Sequence, residues 1–331
     1  MNELEERINQ GPIVSKGIEV LDLTNLGFWP SKNLQKGLQK VVTFPEVSSR
    51  KLIPNGSLWM YEPDTPYNPD ILRDDVGCGI TTYLCEKIPD ITEVAQLLSD
   101  TQIGRGNHFV DICHFDNEYD LIALHSDLNE EKKHPQTFKE AKNRMNEARY
   151  RRGIVIESIL ERLEIKGSLW KDWTHNFVDV HEDRIVYGKG VVDTKKHNGF
   201  GLMGLNPTQG LLLFRQSANN DIDGYMQHGL GRIPEKRIGN YFIPLNKKCC
   251  YLIPPEELQR LQNREDKVQV ISINDITSLA LREKMNNGID SIEALRKGIE
   301  TYQDVENVFR QHGRYFTPLR ILTPRLVIQS R

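Results

Sequence analysis

The sequence predicts a single α+β domain of mixed β-sheets with surrounding helices and a helical C-terminal layer, and three stretches carry that prediction. Roughly the first hundred residues are short apolar runs punctuated by Pro and Gly, the pattern of strands joined by irregular loops. Between Gln136 and Leu163 the apolar period changes to alternating steps of three and four, the pattern of one long helix. Beyond Pro254 and Pro255 helical periods return in several shorter segments.

In chain order, Gly17 to Leu23 and Ile80 to Leu84 read as strands of the N-terminal half. The long helix presents Phe138, Ala141, Met145, Ala148, Arg152, Val155 and Ile159 on one face and tolerates Gly153. Thr174 to Val180 and Asp183 to Val186 flank the turn-like His181-Glu182-Asp183 as a hairpin, and Gly210 to Phe214 reads as a buried strand. The C-terminal helices are expected over Glu256 to Gln262, Asn274 to Met285, Ser291 to Thr301 and Gln303 to Gln311, before an apolar stretch from Pro318 to Ile328. No low-complexity linker and no internal repeat divides the chain, so residues 1–331 are expected to form one domain.

A chain of 331 residues can bury a large core and still hold a substantial cleft. Its formal net charge of -3 gives no bulk attraction to nucleic acid, so any such contact must be local. No basic start with an apolar stretch marks the N-terminus, and runs such as Gly210 to Phe214 are too short to cross a bilayer, which predicts a soluble, cytoplasmic protein. The cysteines Cys78, Cys85, Cys113, Cys249 and Cys250 are odd in number and unevenly spaced, which argues against a disulfide framework and leaves thiols free for metal.

Asp75-Val76-Gly77-Cys78-Gly79 sets a carboxylate and a thiol three residues apart in a glycine-rich turn before a strand. Together they suit a divalent transition metal, and a thiolate can bridge two ions. Gly104-Arg105-Gly106-Asn107-His108-Phe109 places an amide and an imidazole after a flexible glycine pair that lets the backbone approach a phosphate. His125 ends the apolar run Leu121 to Leu124, and His175 opens Asn176 to Val180, so both stand at strand ends. Taken singly, each of these is an ordinary turn, loop or structural histidine. As a set they supply the mixed N, O and S ligands of a two-metal site. In His228-Gly229-Leu230-Gly231-Arg232 a neutral imidazole stands beside a guanidinium that steadies phosphate charge, a nucleophile next to its clamp.

With these motifs in this order, nearly the whole chain resembles the RtcB family of tRNA-splicing and RNA-repair ligases. The likeness rests on Asp75 to Gly79, Gly104 to Phe109, His125, His175-Asn176-Phe177 and His228 to Arg232, with weaker matches at Pro45-Glu46-Val47, Gly188-Lys189-Gly190, Tyr302-Gln303-Asp304 and Pro324 to Gln329. The resemblance implies an RtcB-like catalytic domain, working as a monomer, that joins an RNA 3′-phosphate or 2′,3′-cyclic phosphate to a 5′-hydroxyl with GTP and manganese. His228 would take GMP from GTP. Cys78 would bridge the two ions, one completed by Asp75 and His108, the other by His125 and His175. Asn107, Asp111, Gly229, Gly231, Arg232, Tyr302 and Gln329 would surround the nucleotide, with Tyr302 on guanine. An archease-like activator is a further implied partner, and the donor set would also accept zinc or cobalt.

The chain departs from the family pattern in the shell around these groups. Asp127 and Leu128 follow Ser126 where the family carries Gly-Ser-Arg, Asp111 stands for a glutamate, Gln329 for a terminal lysine and Gly188 for a frequent arginine. Each missing charge-assisted hydrogen bond to a nucleotide costs about 1.5–3 kcal/mol, so nucleotide preference is expected to differ more than chemistry. Two arginine groups, Arg144, Arg149, Arg151 and Arg152 on the long helix and Arg314, Arg320 and Arg325 near the end, are candidate RNA-backbone surfaces. Glu140 and Glu147, as partial counter-charges, favour reading the first as a solvated helix face. Two other readings compete with ligation: a metal-dependent phosphoesterase that trims RNA ends, and a non-catalytic RNA-end binder.

Overall fold

The computed structural model describes residues 13–15, 17–24, 28, 30–44, 53–89, 94, 97, 108–128, 134–205, 209–218, 222–231, 248–252, 269–272, 308 and 313–330. Strands dominate them: β1 (Ile13–Ser15), β2 (Ile18–Asp22), β3 (Leu38–Thr43), β4 (Ser57–Tyr61), β5 (Gly79–Glu86), β6 (Phe109–His114), β7 (Tyr119–Ser126), β8 (Gly167–Thr174), β9 (Asn176–Val180), β10 (Ile185–Lys189), β11 (Val191–Asp193), β12 (Phe200–Gly204), β13 (Leu211–Gln216), β14 (Tyr225–Gln227), β15 (Lys248–Leu252), β16 (Gln269–Ser272), β17 (Phe316–Leu322) and β18 (Pro324–Ser330). One long helix, α1 (Phe138–Arg162), enters between β7 and β8.

These strands form a six-stranded sheet in the order β1-β2-β3-β4-β10-β9, a seven-stranded sheet in the order β16-β15-β18-β6-β7-β5-β8, and two small sheets, β12-β13-β17 and β11-β14. β2 and β3 run parallel; the rungs that matter for the site, β5 with β7 and β8 and β6 with β7, are antiparallel. Strand alternation sends Tyr83, Val110, Ile112, Ile122 and Leu124 to one face of the seven-stranded sheet, where Ile156, Ile159 and Leu160 of α1 cover them. The opposite face, with Ile80, Leu121, Ala123 and Trp173, packs on Val192, Leu202, Leu211 and Leu322 of the small sheets. The six-stranded sheet repeats the scheme. Tyr61, Val178 and Tyr187 meet Phe138, Ala141 and Met145 of α1 on one side, while Val42, Leu58, Met60 and Val186 meet Leu212, Phe214 and Phe316 on the other.

The N-terminus of α1 is capped by Thr137, whose hydroxyl accepts from the N–H of Glu140 at 3.2 Å, and its last turn carries Arg162 against the helix dipole. Most expected elements stand: Gly17 to Leu23 contains β2, Ile80 to Leu84 lies in β5, Gly210 to Phe214 enters β13, and β9 and β10 pair as the expected hairpin. Two boundaries move. His175 interrupts the expected strand 174–180, leaving Thr174 at the end of β8. The expected final stretch splits at Thr323 into β17 and β18, which join different sheets. The expected helices from Glu256 to Gln311 lie outside the described residues, apart from Val308, which is helical and buried. Among the described residues no helix is long and apolar enough to cross a membrane.

Candidate metal centre

The chain passes between the two large sheets at Asp75–Cys78, on the way from β4 to β5, and again at His175, between β8 and β9. Both passages meet: the N–H groups of His175 and Asn176 donate to the carbonyl of Cys78 at 3.0 and 3.1 Å. Gly77 makes the first bend possible, because its φ of +85 lies in the left-handed region and a Cβ there would sit 2.9 Å from the Met145 backbone of α1. On the neighbouring rungs His125 closes β7 opposite Phe109 of β6, which brings His108 alongside. The order β6-β7-β5-β8 thus lays His108, His125, Cys78 and His175 side by side along one end of the sheet.

Their donor atoms converge. Sγ of Cys78 lies 3.3 Å from Nε2 of His125 and 3.6 Å from Nε2 of His108, and the Nε2 atoms of His125 and His175 are 3.2 Å apart. The donors of Cys78, His125 and His175 all fall within 4.8 Å of one another, and all three residues are buried. A tetrahedral zinc-like ion with N and S ligands needs N···N and N···S edges of about 3.3–3.6 Å, close to the short edges here. Soft sulfur with imidazole nitrogen fits a divalent transition metal. Burial, with the Asp127 carboxylate next, pushes the Cys78 thiol up. Burial and the neighbouring imidazoles of His228 and His125 hold His175 well below the usual histidine range, so it stays a neutral ligand.

His228 belongs to the same group. Its ring centroid lies 3.9 Å from that of His175 at an interplanar angle of 31°, and 5.8 Å from that of His125. Nδ1 of His228 is 3.0 Å from the carbonyl oxygen of Gly190, which also accepts the His228 main-chain N–H at 3.0 Å. A carbonyl can only accept, so Nδ1 carries the proton and Nε2 keeps its lone pair. Gly229 bridges to Gly204, and the N–H groups of Gly204 and Leu230 close that rung at 2.7 and 3.0 Å. Gly231 follows with φ +72.

Arg152 holds these pieces from behind. It is fully buried, and its guanidinium donates to the carbonyls of Gly77 and Ser126 at 2.7 Å each, to Thr81 at 2.8 Å and to Asp172 at 2.8 Å, with Thr174 at 3.5 Å. Gly77, Ser126 and Thr174 are the chain neighbours of Cys78, His125 and His175, so one side chain ties the three ligand-bearing segments together. Asn176 does similar work across the site: its amide donates to the Asp75 carbonyl at 3.1 Å and accepts from Gly190 N–H at 2.6 Å.

The other expected residues divide. The Asp75 side chain is 45% exposed and its Oδ2 lies 3.8 Å from Nζ of the buried Lys189, outside the tight donor trio. Asp111 is buried in β6 with Oδ1 lacking a hydrogen bond, and burial raises its carboxyl well above the usual range. Gln329 lies in β18, paired with Phe109 and Cys249 through the backbone. Asn107, Arg232 and Tyr302 lie outside the described residues.

The arginine surfaces are corrected in part. Arg152 is interior, Arg151 pairs with Glu147 at 2.7 Å, Arg325 pairs with the buried Asp120, and Arg320 lies over the ring of Phe115. Of the groups around the ligands, sequence reading noted Asp127 only as a departure and not as the neighbour of His108, whose Nδ1 lies 4.0 Å from its Oδ1, and it missed the structural use of Arg152 and Asn176. An arginine at an apolar-face position of a helix was the one available signal. No protein-family model matches the chain, and no curated protein does.

Proposed function

We propose that the protein is a GTP- and manganese-dependent RNA ligase of RtcB type, joining RNA 3′-phosphate or 2′,3′-cyclic phosphate ends to 5′-hydroxyl ends through a guanylylated His228. The observation that carries this reading is the placement of His228 against His175 with Nδ1 committed to Gly190, next to a Cys–His donor cluster. Simple metal storage has no use for an additional imidazole whose tautomer is fixed with the lone pair on Nε2.

Cys78, His125 and His175 would hold one ion, and Cys78 with His108 and Asp75 the other, the shared sulfur lying within 3.6 Å of the imidazoles on both sides. Bound divalent cations there would supply charge neutralisation at the attacked phosphate. The rest of the work falls to the chain. The Gly190 carbonyl orients the His228 ring and would stabilise positive charge on it as Nε2 bonds to the α-phosphorus of GTP and the bond to the leaving pyrophosphate breaks. Arg152 keeps the ligand segments in register without touching substrate. The departure at Asp127, whose carboxylate lies 4.0 Å from Nδ1 of His108, favours a specialised nucleotide or RNA-end preference. A cytoplasmic location and an archease-like activator belong to the same reading.

Intact-mass measurement after incubation with GTP and manganese tests it. The protein should gain the mass of GMP, the adduct should be acid-labile, and His228→Ala should abolish it with the fold retained. A protein that takes up no nucleotide from GTP, ATP, CTP or UTP, yet removes terminal or cyclic phosphate from RNA, would be a phosphoesterase and not a ligase.

A further inference from the structure

Alongside α1 runs a groove of about 790 Å³ that none of the Cys–His donors of the candidate metal centre lines. One wall is a stripe of the helix: Lys139, Lys142, Asn146 and Arg149 recur at steps of three and four and all face the groove. From Lys139 to Arg149 this stripe covers about 15 Å, the reach of a few successive phosphates. Trp170 and Lys171 of β8 line the opposite side, with Lys196 and His197 from the 3-10 turn that follows β11. β8 and β9 are the outermost strands of their sheets, and Leu169 and Val180 on them are 45% and 58% exposed. Open strand edges carrying large apolar side chains mark a surface that receives a partner.

The charge in the groove is positive and largely uncommitted. Its carboxylates are engaged within the protein, Asp172 by Arg152, Asp179 by Lys196 and Asp193 by the Lys195 N–H. Lys139, Lys142, Arg149 and Lys171 form no ion pair among the described residues. The field they create is felt by His197, which is pushed down to about 4 by burial first and then by Lys171, Lys196 and Arg149, against the opposing pull of Asp172. The groove extends to Thr174, the residue before His175.

We infer that this groove seats the single RNA strand whose end is presented to the metal centre, an inference that rests on the ligase reading above. The α1 cations track the phosphodiester backbone, and Trp170 with His197 gives bases a ring surface. His197 already rests on the Trp173 ring and Trp170 packs edge-on to Trp173 and Phe115, so the pair is a fixed aromatic platform, half-buried beside the cations. An acidic peptide would satisfy the cations but make no use of that platform.

Fluorescence anisotropy of a labelled single-stranded RNA, with chelator present and salt varied, tests this on three proteins: wild type, Lys139→Glu/Lys142→Glu/Arg149→Glu, and the charge-matched control Lys32→Glu/Lys36→Glu/Lys166→Glu. The groove variant should bind at least tenfold more weakly, and its plot of log affinity against log salt should flatten by about 0.7 for each phosphate no longer neutralised. The control should keep affinity and slope, and cobalt uptake by the groove variant should match wild type, which shows that the fold survives. Equal weakening in both variants, unchanged binding by the groove variant, or competition by duplex RNA or an acidic peptide as effective as that of the strand, would overturn the inference. Since neither metal nor GTP is present, failure here leaves the guanylylation test standing, and failure of that test leaves this one readable.

Discussion

Cys78 is the donor shared by both halves of the cluster, 3.3 Å from His125 and 3.6 Å from His108. Cys78→Ser should therefore remove the sulfur-to-cobalt charge-transfer absorption of the cobalt-loaded protein and lower metal stoichiometry. An unchanged spectrum would place the metal elsewhere. Arg152 is the residue whose role most exceeds its sequence signal. It is fully buried against Asp172, itself 5% exposed, and removing one member of such a pair leaves a charge without compensation in the interior. Arg152→Met should cost about 3–5 kcal/mol in urea unfolding. The double variant Arg152→Met/Asp172→Leu should recover much of that stability while still binding cobalt more weakly than wild type, because Gly77 and Ser126 no longer share a donor. Recovery of both stability and metal affinity would reduce Arg152 to half of a buried pair.

Among the elements, α1 is the beam that both large sheets share, its first turns under the six-stranded sheet and its last under the seven-stranded one. Its period was readable because the buried positions are spaced as a helix face requires. β8 was not: its side chains are mostly exposed or half-exposed, so no alternation betrays it, and it becomes a strand by pairing with β5. The link from β10 to β11 turns on Gly190, whose φ is +68 and where a Cβ would lie 2.8 Å from Gly56 N and 3.1 Å from Nδ1 of His228. Gly190→Ala should cost at least about 1–2 kcal/mol for the left-handed backbone alone. If the protein is the proposed ligase, it should also slow guanylylation by displacing the His228 ring. A variant of normal rate would detach the Gly190 carbonyl from the chemistry.

For the molecule as a whole, a metal bound at this cluster would be coupled to folding, since its donors, Cys78 before β5, His108 before β6, His125 in β7 and His175 at the β8–β9 corner, converge only when the sheets are assembled. Chelation should lower Tm. A metal at a hundred times its dissociation constant stabilises by about 2.7 kcal/mol, and a Tm indifferent to chelator would count against a resident ion. Acid stability has a second source. Burial raises the Asp172 carboxyl, but the Arg152 charge and hydrogen bonds from Thr174 and Thr81 outweigh it, so its folded pKa lies below the ordinary 3.8. A depressed carboxylate stabilises above its unfolded pKa and loses that contribution as pH falls through the folded value. The stability gap between wild type and Asp172→Asn, measured by denaturant at a series of pH values, should be full near neutrality and shrink below 3.8. A gap constant into acid would contradict the pairing.

The order of Asp75-to-Gly79, His108, His125, His175 and His228 was set by sequence alone, as were the long helix and the strands with clear alternation. Those features are local: periodicity, turn chemistry and ligand type are properties of a few adjacent residues. Which residues meet was decided only by the tertiary structure. Strand order put four ligand-bearing segments at one sheet end, left the Asp75 carboxylate facing Lys189, and turned an arginine from a supposed RNA surface inward. Burial explains the last of these, since a guanidinium with enough fixed acceptors around it is more stable inside than any single-residue preference foretells.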